Sequence, residues 1–237
     1  ALGMDKLAFG GLARAAGLPC LPRAALGEAK VEFGGPYLVK PRFGGSSIGI
    51  EVVEDLQTAR DLLRVSPHLR RGAVVEPWRN DLHDLNVAVR TWPRPTLSAI
   101  ERPIRSPGAS AILTYADKYM GGEGMLSAAR ELPAKISGEV AEVLRAASLA
   151  LVELASLRGV TRVDFLAGEG GELFLNEINT VPGSLARYLW VDPEVPFLTL
   201  LGDLLEEARR RPAIAYSVAG ADGSALRSAG TIQGKLG

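Results

Sequence analysis

The stretch RVDFLAGEGGELFLNEINTVPG, residues 162–183, decides how this chain is read. Two short β-like runs, DFL and ELFL, are joined by a Gly-rich turn and carry Asp164, Glu177 and Asn179. Side chains alternate across a strand with period two, so paired antiparallel strands could bring all three to one face. Glu177 and Asn179 stand two apart and point the same way. Oxygen-bearing side chains in such a group suit Mg²⁺, a hard ion usually shared between carboxylates and phosphates. The alternative is a polar hairpin end with solvated acids.

Length and charge bound the rest. At 237 residues the chain can bury a real core, as one large domain or two small ones. Charged residues make up 23% and hydrophobic ones 47%, the ordinary composition of a soluble enzyme. Lys plus Arg equals Asp plus Glu at 27 each, so overall charge favours neither nucleic acid nor an anionic membrane as partner. The single cysteine, Cys20, excludes an internal disulfide framework and a cysteine-built zinc site. With no signal peptide and no apolar run of transmembrane length, a cytoplasmic setting is expected.

Residues 5–17, DKLAFGGLARAAG, predict a first helix stopped by Gly17. A loop is expected over 22–30, then strand PYLVK at 36–40, a Gly/Ser loop, and strand IEVV. Asp55 is the expected N-cap of an amphipathic helix over 55–64. Strands GAVVE and LNVAVRTW flank the polar patch PWRNDLHD, and 93–111 reads as connection. TYADKYMGGEG is expected to be a functional loop, 137–157 the longest helix, and 196–211 the last one. The tail, 212–237, is low in bulky apolar residues and expected to be loose.

The second chemical element is the strand–turn–strand at 38–53. Gly44, Gly45 and Gly49 let backbone approach a ligand, and Ser46 and Ser47 add hydroxyls and amides that can form an anion nest. Lys40, at its strand's end, could meet a phosphate as a point charge. The order of Lys and Gly is not that of a Walker A loop, and a strand rather than a helix follows. An ordinary hairpin with a surface lysine is the competing reading. Glu76, ending a strand before Trp78, could accept ribose hydroxyls or an exocyclic amine. His68 and His83 resemble neither catalytic nor metal-binding histidines, and no G-x-S-x-G elbow is present. Lys118, between Tyr115 and Tyr119, could close over phosphates from a lid at 115–126.

MDK at 4–6, VKPRFGGSSIG at 39–49, YADKY at 115–119, RVDF at 162–165 and NEINTVPG at 176–183 stand in the order of a known family. The chain resembles the ATP-grasp superfamily, and within it the D-alanine–D-alanine ligases. The resemblance implies an α+β fold, two α+β subdomains clasping the nucleotide between them. The expected division is 1–78 as the small subdomain, 79–211 as the large one, and 212–237 as a tail. It also implies ATP with Mg²⁺ or Mn²⁺, amino acid or peptide substrates, a homodimer, and a role in peptidoglycan biosynthesis.

By that resemblance Lys6, Lys40 and Lys118 touch the nucleotide phosphates, and Ser46 and Ser47 form the flap over them. Glu76 and Trp78 fall at the adenine, and Asp84 at the ribose through a one-residue offset. Asp164, Glu177 and Asn179 match the metal ligands. Arg162 and the Gly183 backbone N–H match the groups holding the oxyanion, while Tyr119 helps shape the substrate pocket, with Ser46 beside the catalytic groups.

Three departures bear on substrate. The chain begins where an amino-terminal domain normally ends, so an upstream domain is expected to be required. SLARYLW follows Gly183, and Tyr188 falls near the place of a serine at the substrate carboxylate. The RNDLHD patch is more polar and one residue longer than the family's. The tail AGTIQGKLG is similar to a short segment of the family's first domain. The expected activity is an ATP-dependent carboxylate–amine ligase working through an acyl phosphate. Alternatives are a ligase for a different amino acid or peptide, a nucleotide-binding module without turnover, and a structural protein that kept the fold.

Overall fold

The computed structural model describes residues 2–27, 30–104 and 129–211. Helix α1, Lys6–Ala15, begins where Asp5 leaves the helical region and accepts hydrogen bonds from the Leu7 and Ala8 amides, each at 3.1 Å. Arg42 clamps the same carboxylate with donors at 2.8 and 2.6 Å. Losing both the cap and the clamp in Asp5→Ala is expected to cost about 1–2 kcal/mol in a denaturant midpoint assay. The Arg42 hydrogen bond leads, burial opposes it, and the backbone amides add to it, holding Asp5 at about 2 against an ordinary 3.8. Its contribution is therefore complete above the ordinary value and lost as pH falls through about 2.

The smaller sheet has the order β1-β4-β2-β3, all antiparallel. Its strands are β1 Ala24–Leu26, β2 Tyr37–Pro41, β3 Glu51–Val53 and β4 Ala73–Pro77. Helix α2, Leu56–Val65, starts at Asp55, which caps the Thr58 amide at 2.8 Å as expected. Ala59 and Leu69 pack on Leu26, Tyr37, Val39 and Val75, giving this sheet its own core.

The larger sheet has the order β10-β9-β5-β6. It comprises β5 His83–Arg90, β6 Thr96–Leu97, β9 Val160–Ala167 and β10 Leu173–Asn179, with β7 Arg102–Pro103 and β8 Arg130–Glu131 paired separately. Helix α3, Gly138–Leu154, lays Val140, Leu144, Ala147 and Leu151 into its core. Leu144 and Leu151 are wholly buried, and each contributes about 1.5–3 kcal/mol over an exposed position. Phe9 and Ala13 of α1 join the same core, which fixes Lys6 at the start of that helix beside this sheet. A 3₁₀ turn, Gly183–Leu189, and helix α4, Phe197–Arg210, pack Ala186, Leu189, Trp190 and Leu200 on Ala88 and Val160.

Residues 1–207 make one compact unit, and the unit beginning at Ala208 is described only through 211. Among the described residues, no helix is long and apolar enough to cross a membrane.

Three local expectations are corrected. The 22–30 loop contains β1, an edge strand too short to show alternation and held by its pairing to β4. Strand β5 begins at His83, inside the polar patch, because β9 extends its ladder to Ala167. Helix α3 ends three residues early, at Leu154, where Ser156 takes a left-handed conformation (φ 48).

Candidate active site

Lys40 and Glu76 sit on adjacent strands, and the register Leu38↔Glu76 puts them on one face. Lys40 Nζ is 2.7 Å from Glu76 Oε2 and donates to Asn176 Oδ1 at 3.1 Å. Arg23 Nε pairs with Glu76 Oε1, so both oxygens of a carboxylate only 1% exposed are engaged by cations. Burial pushes the Glu76 carboxyl up, but Lys40 and then Arg23 outweigh it and hold it below its usual range. Lys6 is also buried, and its ammonium donates to the Gly44 carbonyl at 2.7 Å. Burial lowers the Lys6 pKa, with the Glu177 carboxylate pulling the other way.

The Gly/Ser loop is strained where a ligand loop would be. Ser46 and Ser47 both lie in the left-handed region, at φ 58 and 59. Such residues cost about 1–3 kcal/mol each, and successive ones present neighbouring amides as an anion nest. Gly49 (φ 72) closes the loop where a Cβ would meet His68 Cβ at 2.5 Å. Lys6, Lys40, Ser46, Ser47, Glu76 and Trp78 all face one cleft of about 920 Å³, open solvent included. Asp84 from β5 and Glu177 from β10 line it as well, between apolar walls that include Ile48 and Leu166.

On the larger sheet, Glu177 stands opposite Asp164 and Asn179 opposite Arg162, with a bulge between Leu175 and Glu177. The hairpin therefore turns these side chains to the same face. Arg162 donates to both Asp164 oxygens, at 2.6 and 2.8 Å, and Asn179 Nδ2 donates to Oδ2 at 2.7 Å. Burial works against the Arg162 charge, but Asp164 more than compensates and raises its pKa. All three candidate metal ligands offer oxygen donors, two of them carboxylates, which is the set a hard divalent ion takes. With Nδ2 donating to Asp164, the amide oxygen is the Asn179 atom that could meet a cation. Among the described residues, no three acidic, His or Cys side chains form a group that could hold a metal ion, so a metal here would need Asn179 as its third ligand.

Gly183 opens the 3₁₀ turn four residues after β10, and Ser184, Leu185 and Ala186 follow it with φ near +50. Tyr188, in that turn, places its hydroxyl among buried atoms beside Arg162, without a hydrogen bond of acceptable geometry. Burial pushes the phenol up to about 12, and the Arg130 guanidinium stacks 4.4 Å above its ring.

Four residues that sequence reasoning missed belong to this neighbourhood. Arg23 and Asn176 join the lysine cluster. Glu101, only 4% exposed, accepts from Asn86 at 3.1 Å and Arg130 at 2.9 Å, and burial raises its pKa. Asn176 is flagged only by standing next to Glu177; Arg23, Glu101 and Arg130 lie in segments with no readable pattern. Lys118 and Tyr119, with the expected lid at 115–126 and the tail at 212–237, lie outside the described residues.

A family model described as D-ala D-ala ligase C-terminus matches residues 2–202. The D-alanine–D-alanine ligase of Anaeromyxobacter sp. (strain Fw109-5) is 32% identical over 197 residues, 80% of this chain and 60% of the relative. D-alanyl-alanine synthetase A from Vibrio cholerae O1 biovar eltor str. N16961 superposes with a TM-score of 0.70 at 17% identity, covering 86% of this chain and 65% of that one. The VanG D-Ala:D-Ser ligase from Enterococcus faecalis gives 0.67 at 23% identity, covering 87% and 62%. At those identities the two structures speak to the fold alone. This chain spans about 60% of the length of the Anaeromyxobacter relative.

Proposed function

The chain belongs to the D-alanine–D-alanine ligase family, and we propose that it carries the ATP-dependent carboxylate–amine ligation of that family. Its fold is the α+β ATP-grasp fold. One observation carries the reading: Lys6, Lys40 and the Ser46–Ser47 loop face Glu177 across a single cleft, and Asp164 stands opposite Glu177 on the neighbouring strand.

In this scheme a substrate carboxylate attacks the γ-phosphorus of ATP, the bond to ADP breaks, and an acyl phosphate forms. Lys6 and Lys40 take up charge on the phosphates, and the left-handed loop supplies amides to them. Trp78 and the apolar walls accept the purine face, Asp84 the ribose. Glu76 keeps its carboxylate for Lys40 and Arg23. Asp164, Glu177 and Asn179 would hold Mg²⁺, or Mn²⁺ on the same donors. Such an ion would supply positive charge to offset that of the phosphates. An amine then attacks the acyl carbonyl, Arg162 and the Gly183 amide hold the oxyanion, and phosphate leaves. A carboxylate has lone pairs for both partners, so Asp164 could meet a metal while its pair with Arg162 keeps the guanidinium aimed in the site.

The lid, with Lys118 and Tyr119, a homodimer and an upstream amino-terminal domain belong to the same proposal. So do the division at residue 78 and a place in peptidoglycan precursor synthesis. Calorimetry with ATP and Mg²⁺, followed by ADP release over a screen of D- and L-amino acids and dipeptides, tests it. Absence of Mg²⁺-dependent ATP binding would sink the proposal. Binding with no ADP release from any substrate would favour a second reading, a nucleotide-binding module.

Substrate choice is expected to differ from the plain D-alanine enzyme. Tyr188 fills volume beside Arg162 with its hydroxyl buried, and by the family resemblance it replaces a small hydroxyl side chain at the substrate carboxylate. One well-placed hydrogen bond to a charged group is worth about 1.5–3 kcal/mol, roughly tenfold to a hundredfold in affinity. D-Alanine should therefore be a poor second substrate, with a longer or different amine preferred. A submillimolar KM for D-alanine in a phosphate-release assay would refute this and restore the plain D-alanine ligase.

A further inference from the structure

Arg23 has no reacting role in the ligation scheme, yet its side chain is buried and bonded to Glu76, Lys6 and Asn176, three residues that line the cleft. Its side chain is 7% exposed. Nε pairs with Glu76 on β4, Nη1 donates to the Lys6 carbonyl on α1 at 2.6 Å, and Nη2 donates to the Asn176 carbonyl on β10 at 3.1 Å. One planar fork thus fixes three elements, each carrying a residue that lines the cleft. A lysine, with a single flexible ammonium, cannot serve all three directions at once.

Charge gives the fork a second consequence. Lys40 and Glu76 alone would be a neutral pair, and at 2.7 Å the carboxylate would cancel much of the attraction Lys40 offers a phosphate. With Arg23 on the other oxygen, the group of three carries a net positive charge. The side chains are 5%, 1% and 7% exposed, so solvent screens this balance little. We infer that Arg23 is a positioning residue of the nucleotide site. It holds Glu76 and the Lys6 and Asn176 backbones so that Lys6 and Lys40 meet the triphosphate with uncancelled charge. The inference rests on the proposed nucleotide site.

The test compares ATP with adenosine, which has no phosphates, on the folded protein by calorimetry or competition. Arg23→Met is expected to weaken ATP binding by about tenfold or more and to leave adenosine unchanged. Arg23→Lys should recover part of the ATP loss, because it restores the charge without the fork. Should Arg23→Met fail to fold, Arg23→Lys carries the test, with a smaller ATP loss and unchanged adenosine expected. Equal weakening of both ligands would make Arg23 a merely structural residue and overturn the inference. So would unchanged ATP binding in the Arg23 variants when Lys40→Met has lost it. If Lys40→Met also binds ATP normally, the nucleotide site itself is wrong, a failure distinct from that of Arg23 alone.

Discussion

Arg162→Met is expected to lower turnover about 10²–10³-fold, the usual effect of removing one group that stabilises a developing oxyanion. The side chain is only 13% exposed and both of its donating nitrogens are aimed at Asp164, so its position is well defined. Methionine keeps the length and removes the charge. ATP affinity should change far less than kcat, because in the proposed scheme the guanidinium acts only when negative charge develops on the acyl carbon's oxygen. Arg162→Lys should recover little, since a point charge cannot replace the fork that sets its direction. Steady-state ADP release gives kcat, and calorimetry gives the nucleotide affinity. An unchanged kcat would remove Arg162 from the chemistry. A loss confined to ATP affinity would show that it acts only by orienting Asp164.

The site's two halves were unequally legible. Asp164, Glu177 and Asn179 were readable because hairpin strands alternate with period two, and the Gly-rich AGEGG between DFL and ELFL marks the turn. The bulge beside Glu177 leaves no mark in the sequence, yet it helps decide that Glu177 faces Asp164 and leaves Asn176 to meet Lys40. The Asp55 cap was local, hence predictable. Arg23 was not: its partners Glu76 and Asn176 lie 53 and 153 residues along the chain, and only the packing of both sheets and α1 brings them together. Glu76 shows the same limit from the other side. GAVVE reads as a strand ending in an acid, and nothing in those five residues shows that two distant cations will cover the carboxylate.

That covering makes Glu76→Gln the most damaging single change expected for stability. Removing one partner of a buried charged group leaves the others unpaired and typically costs about 3–5 kcal/mol. Here Arg23 and Lys40, 7% and 5% exposed, would face each other across a neutral amide. For a chain of this size each kcal/mol moves the melting temperature by about 2–4 °C, so a fall on the order of 10 °C is expected. The carboxyl is held below its usual 4.5 in the folded state, so its stabilisation is complete above that value and is lost as pH falls through the depressed one. The gap between wild type and variant should therefore close on acidification. Nucleotide reverses the comparison. In Glu76→Gln the two cations lack a counter-charge, and a triphosphate can supply one, so ATP should raise the variant's melting temperature more than it raises the wild type's. Thermal unfolding with and without ATP, near neutral pH and in acid, measures both effects. An unchanged melting temperature would mean that the Lys40–Glu76–Arg23 group is solvated. An equal ATP shift in both proteins would mean that the freed cations do not face the phosphates.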